Sequence, residues 1–202
     1  MNKEKEKEEI SAIHPAVAPL SYLLGKWKGE GEGGYSTINS FRYGEQLQFS
    51  HPAPGKPVIA YSHYTWKLDS GLPMHSESGY WRPKHDGSVE VVIAQSTGLA
   101  EVLKGTHSAE DKVIKLQSQV VANASKVREI SRVYEMVNGE LHYVVQMATN
   151  LTALQPHLKA VLKKLPVCHR TSNSSPNQRD SLLWLQKYCN AWWPSHIPCS
   201  GI

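Results

Sequence analysis

Cysteine is missing from the first 167 residues; Cys168, Cys189 and Cys199 are the chain's three. The body therefore has no disulfide framework, the cysteine spacing fits no zinc motif, and a reducing, cytosolic setting is the default. No stretch approaches the roughly 20 apolar residues that span a bilayer, so no membrane partner is expected. The first nine residues, Met1 to Glu9, mix lysine and glutamate with no apolar core behind them, which is unlike a secretory signal and reads as part of a flexible leader over 1–14. Gly-x-Ser-x-Gly and His-Glu-x-x-His are both absent, and serines and carboxylates stand singly at turn positions, which argues against a hydrolase. The glycines from Gly25 to Gly34 follow no apolar strand and precede no Gly-Lys-Ser/Thr, which excludes a phosphate loop and a dinucleotide site. A net charge of +4 is too diffuse to imply a nucleic-acid partner.

What is present is ordinary globular composition, 40% hydrophobic and 20% charged over 202 residues, enough for one domain with a tail. His14 to Leu24 reads as a short helix or turn stopped by Gly25. From there the apolar period falls to about two, predicting strands at 25–32, 41–51, 57–68, 73–83, 88–96, 98–107, 111–121, 127–137 and 140–149. Turn chemistry separates them: Pro52-Ala53-Pro54-Gly55, Asp69-Ser70-Gly71, Lys84-His85-Asp86-Gly87, Ser96-Thr97-Gly98, Ala109-Glu110-Asp111 and Asn138-Gly139. Asn138-Gly139 is the clearest two-residue hairpin. Sequential short strands without intervening long helices predict an antiparallel meander, and closure into a barrel removes its exposed edges. A barrel of roughly eight to ten strands holds one small ligand in its mouth.

Beyond the meander, Leu154, Leu158, Val161, Leu162 and Leu165 fall at helical spacing, and Pro156 suits a first helical turn, so a helix over 154–165 is expected. His157 lies at the edge of its apolar stripe. Two roles stay open: a hydrogen-bonded core histidine, or a metal or haem ligand. Met74, Gln95 and Met147 are soft or polar residues within strands. Met74 and His75 have opposite strand parity, so both reach one pocket only across a bulge or at a strand end. Residues 167–202 lose all periodicity and form an irregular tail with no assignable role.

Five ordered blocks resemble the nitrobindins, a family of haem-binding proteins, over roughly residues 15–166. Gly25-Lys26-Trp27-Lys28-Gly29-Glu30-Gly31 matches the family's G-x-W-x-G-x-G signature, and Tyr35 to Tyr43, Pro73 to Tyr80, Ala94 to Gly98 and Gln155 to Ala160 resemble further blocks, closest in character to plant members. The resemblance implies an all-β fold: a ten-stranded antiparallel up-and-down barrel of lipocalin and fatty-acid-binding-protein type. Short helices would sit near the N-terminus and after the last long strand. It implies one ferric haem b at the open end, with His157 as the sole protein ligand to iron and His75 on the distal side. Thr37 matches a haem-contacting position, and Met74, Gln95, Val127 and Met147 match cavity positions. The implied activity is isomerisation of peroxynitrite to nitrate, with His157 and His75 catalytic, together with nitric oxide binding and protection of tyrosine from nitration. The implied partners are small anionic or diatomic ligands. Ser36 stands where the family usually has proline. The competing reading is a cofactor-free fatty-acid or lipid carrier, which needs a basic residue inside the barrel; none is evident at inward parity.

Overall fold

Alternating burial along each strand organises the chain. In Ser88–Gln95, Val89, Val91 and Ile93 are buried while their neighbours face outward. The computed structural model describes residues 13–52 and 55–166. Most of the leader, Ala53-Pro54 of one predicted turn, and the tail with its cysteines lie outside the described residues. A 3₁₀ helix at Ala18–Leu23 comes first, as expected, followed by ten strands. These are β1 (Gly25–Tyr35), β2 (Ile38–Ser50), β3 (Ile59–Lys67), β4 (Pro73–Pro83), β5 (Ser88–Gln95), β6 (Ala100–Ser108), β7 (Val113–Ala122), β8 (Val127–Val137), β9 (Glu140–Thr149) and β10 (Gln155–Lys164). Every strand pairs antiparallel with its sequence neighbour, and β1 pairs with β10 to close the barrel. The Asn138-Gly139 turn has φ of 52° and 86°, the left-handed pair that a tight hairpin requires.

One expectation fails here. The segment read as a helix over 154–165 is strand β10, so no helix follows the last long strand among the described residues. Spacing alone does not separate a short apolar helix from a strand. The deciding term is pairing: β10 satisfies the ladder edges of both β1 and β9, which would otherwise stay open. Its register shifts between Pro156 and Leu158, placing an irregularity at His157. Pro156, which has no N–H for a ladder, sits beside that shift.

Close approach explains the glycines of β1. A Cβ at Gly29 would collide with the Val161 carbonyl of β10, and one at Gly31 would fall inside the Tyr43 ring. The helix caps one end of the barrel: Leu20 and Leu23 are fully buried, and Trp27 Nε1 donates to the Leu23 carbonyl at 2.7 Å. Around Trp81 in the same half, Phe49, Tyr61 and Tyr134 pack at centroid distances of 5.3–5.9 Å. The turns β1–β2, β3–β4, β5–β6, β7–β8 and β9–β10 gather at the opposite, open end.

Candidate functional site

At that open end lies a cavity of about 290 Å³. Its upper wall is apolar, with Phe41, Leu99, Val127 and Leu158 beside Met74 and Met147. His157 stands on this wall, half-buried, at the irregularity in β10. Its Nδ1 lies 3.0 Å from the carbonyl oxygen of Gly34 on β1. A carbonyl only accepts, so Nδ1 carries a proton, and the neutral ring held this way is the tautomer whose lone pair is on Nε2. Tyr35 packs edge-on against the imidazole at 5.7 Å and 84°, and its hydroxyl donates to the Met147 carbonyl at 3.0 Å. The same hydroxyl touches Thr152, so β1 and the β9–β10 turn together fix the ring.

Of the residues singled out in the sequence, Met74, His75, Gln95, Val127, Met147 and His157 all line this cavity. Met74 and His75 both reach it because the β3–β4 register slips between Tyr64 and Trp66, at the start of β4. Thr65 Oγ1 bridges the slip, accepting from His75 N at 3.0 Å and donating to His75 O at 3.2 Å. Thr37 is not on the cavity wall; it is exposed on the β1–β2 turn at the mouth. Its neighbour Ser36 accepts from Gln155 Nε2 at 3.4 Å, a side-chain tie from this turn to β10.

The cavity floor is a cluster of buried charge that strand reading had passed over. Arg132 is 5% exposed and reaches Glu77 at 2.7 and 2.9 Å and Glu101 at 2.6 and 3.1 Å. Gln95 donates to Glu101, and Tyr61 donates to Glu77 at 2.7 Å. His63 lies between two carboxylates, with Nε2 2.6 Å from Glu45 Oε2 in an off-axis ion contact and Nδ1 3.5 Å from Glu77 Oε1. Tyr143 donates to Glu45 at 2.6 Å, so Tyr43 donates to the Tyr143 hydroxyl at 3.0 Å. His75 Nε2 approaches Glu77 Oε2 at 3.4 Å, linking the floor to the cavity.

Burial opposes charge throughout this cluster, yet the partners prevail. Desolvation alone would push His63 down, but the contacts with Glu45 and Glu77 raise it to about 9. Burial likewise works against the Glu77 carboxylate, and the Arg132 charge still holds it well below the usual range. Tyr61 and Tyr143 are pushed up, first by burial and then by the neighbouring carboxylates.

The expectation of no inward basic residue is corrected by Arg132, which shares parity with buried Ile130 and Tyr134. Parity was the available signal for the whole cluster. Glu45 lies between Tyr43 and Leu47, His63 is two residues from Tyr61, and Glu101 is two from Leu103.

The side chains fit a flat, largely apolar macrocycle that carries a metal. They offer an apolar upper wall and an imidazole at its edge oriented through Nδ1, while the Arg132 and His63 cations of the floor are already paired with Glu45, Glu77 and Glu101. His157 is the residue that would ligate.

Comparisons with known proteins agree with this geometry. The profile described as "THAP4-like, heme-binding beta-barrel domain" matches residues 16–164. The chain is 65% identical over 157 residues to "Peroxynitrite isomerase Rv2717c" of Arabidopsis thaliana, covering 78% of this chain and 93% of that protein. It is 39% identical over 160 residues to "Peroxynitrite isomerase 1" of Mycobacterium tuberculosis (strain ATCC 25618 / H37Rv), covering 75% and 96%. The crystal structure of Rv2717c from M. tuberculosis superposes with a TM-score of 0.69 at 38% identity, covering 76% of this chain and 99% of that one. A closed ten-stranded barrel, an oriented imidazole at its mouth and these matches agree: the chain belongs to the nitrobindins, the THAP4-like haem-binding β-barrel family.

Proposed function

We propose that residues 15–166 form a domain that binds one ferric haem b through His157 and isomerises peroxynitrite to nitrate. The observation that carries this reading is the His157–Gly34 hydrogen bond, which orients the ring and selects the neutral tautomer with its lone pair on Nε2, at the rim of the cavity. When bound, haem supplies a Lewis-acidic metal at which an anionic peroxide is rearranged. With His157 as its one protein donor, the bound group would take small anionic or diatomic ligands, nitric oxide among them.

The remaining roles belong to the protein. Met74, Met147 and Val127 form an apolar wall that keeps reacting fragments together and water out. His75 lines the cavity with its Nε2 3.4 Å from Glu77 Oε2, and it is assigned the catalytic contact with the bound anion. Thr37 and Ser36 sit on the turn over the mouth, and Thr37 is assigned a rim contact. Rapid removal of peroxynitrite by such a site spares tyrosine from nitration, in a cytosolic setting.

The fatty-acid carrier reading is disfavoured by Arg132, whose guanidinium is already committed to Glu77 and Glu101 and cannot take a ligand carboxylate. Titration with haemin tests the proposal. We expect one Soret-absorbing equivalent per chain, lost in His157→Ala, and nitrate yield from peroxynitrite that follows haem content. Saturable Soret absorbance retained in His157→Ala overturns the assignment of the ligand, and full haem content without accelerated peroxynitrite decay overturns the activity.

A further inference from the structure

We propose that Tyr143 is a modification site, at which a small neutral oxidant entering the cavity, nitrogen dioxide, is reduced and a nitro group is left on the ring. Four tyrosines line the cavity: Tyr43, Tyr61, Tyr134 and Tyr143. Taking an electron from a buried phenol leaves a positive charge where burial penalises it, so oxidation proceeds only where the hydroxyl proton has a base to go to. Among the described hydrogen bonds, Tyr61 and Tyr143 alone of the four donate to a carboxylate, at 2.7 Å to Glu77 and 2.6 Å to Glu45.

The two acceptors differ. Against its burial, Glu77 is held well below the ordinary carboxyl range by Arg132, which meets both oxygens at 2.7 and 2.9 Å, and this makes it a weak base. Glu45 meets no arginine or lysine among the described residues. Its charged contact is His63 Nε2 at 2.6 Å, and its Oε1 is buried with no hydrogen-bond partner there. When Glu45 takes the proton, His63 keeps Glu77 as counter-charge, 3.5 Å from its Nδ1. The Tyr143 oxygen, without its own proton, still accepts from the Tyr43 hydroxyl at 3.0 Å. Neighbouring rings are poorer traps. Tyr134, 5.7 Å from Tyr143, donates to no carboxylate among the described residues, and Trp81 beyond it has a buried Nε1 with no acceptor.

The chemistry balances in two steps. Nitrogen dioxide takes one electron from Tyr143 and leaves as nitrite, while the phenolic proton passes to the Glu45 carboxylate. A second nitrogen dioxide then forms a C–N bond at the ring carbon beside the phenoxyl oxygen, and the ring hydrogen displaced there restores the phenol. An uncharged triatomic molecule enters past the apolar upper wall without the desolvation cost that an anionic oxidant meets. The isomerisation proposed above supplies nitrogen dioxide whenever its fragments separate before recombining, and the inference rests on that reading for this natural source alone.

The test irradiates the full chain in deaerated nitrate and nitrite solution, where both radiolysis radicals become nitrogen dioxide, so the outcome is independent of the isomerisation. Peptide mass spectrometry maps the nitration, with exposed Tyr64 and Tyr80, at 46% and 58%, as internal references. We expect Tyr143, only 4% exposed, to be nitrated more than either. Glu45→Gln fills the same space without a base and lowers nitration at Tyr143 by ~10-fold or more while the references hold, and Glu45→Asp restores part of it. Should Glu45→Gln fail to fold, high-field electron paramagnetic resonance of the freeze-quenched radical decides: the wild type shows the g-tensor of a hydrogen-bonded tyrosyl, and Tyr43→Phe that of an unbonded one. Nitration of Tyr143 below that of Tyr64 and Tyr80, an unaltered Tyr143 yield in folded Glu45→Gln, or a radical spectrum indifferent to Tyr43→Phe overturns the proposal.

Discussion

Replacing Arg132 with methionine is the sharpest probe of the cavity floor. The side chain is 5% exposed and supplies four close contacts to Glu77 and Glu101, which are 5% and 0% exposed. Methionine fills much of the volume but leaves buried Glu101 without a cation and Glu77 with His63 alone. Breaking a buried ion pair from one side costs about 3–5 kcal/mol, a large part of the roughly 5–15 kcal/mol that holds a domain together. Urea denaturation at pH 7 measures the loss, and a second pH separates charge from packing. In the wild type Glu77 is held below its ordinary value, so its contribution is present above the free carboxylate range and disappears as pH falls through the lowered value. Without Arg132 the largest influence lowering Glu77 is gone and its value rises, with His63 still facing it, so the variant loses less stability than the wild type as pH falls below 5. Adding Glu77→Gln to the variant recovers at least ~1 kcal/mol at pH 7. A cost below about 1 kcal/mol, or a pH response parallel to the wild type, would show that the cluster is not an ion network of this kind.

Other perturbations address other parts of the barrel. His63 is raised to about 9, so its contribution is complete below pH 6.5 and is lost as pH climbs through 9; thermal unfolding should weaken by up to about 3 kcal/mol over that window, and His63→Gln should flatten the profile. Gly31→Ala puts a methyl group into the Tyr43 ring and should cost about 1–3 kcal/mol, with perturbed tyrosine signals in the near-ultraviolet circular dichroism. Trp27→Phe leaves the Leu23 carbonyl without its donor, and an expected loss of about 1–3 kcal/mol is measurable by denaturant titration.

Strands such as Glu140–Thr149, with Leu141, Tyr143 and Val145 turned inward, were legible because one face meets the core and the other meets water. β10 was not. Its apolar residues satisfy a helical template equally well, and its pairing partner β1 lies more than 120 residues earlier, beyond any local window. The cavity residues Met74, His75, Gln95, Val127, Met147 and His157 were reached through the resemblance, and His75 and Met74 together depend on a register slip that no parity rule reveals. The charged floor went unread for a different reason. Glu45, Glu77, Glu101 and Arg132 sit at inward parity, but a lone charge in a strand looks like a solvated position until its counter-charge, brought from another strand, is known. Only tertiary structure puts Arg132 of β8 between Glu77 of β4 and Glu101 of β6.

The imidazole and the carbonyl that orients it belong to the last strand and the first. During synthesis, Gly34 emerges early and waits until His157 has been made, and the two meet only when β10 zips against β1. A truncated or half-folded chain thus lacks the contact that orients the His157 ring. Under the proposed ligation, haem capture is a certificate of a finished barrel, issued only when the circle has closed.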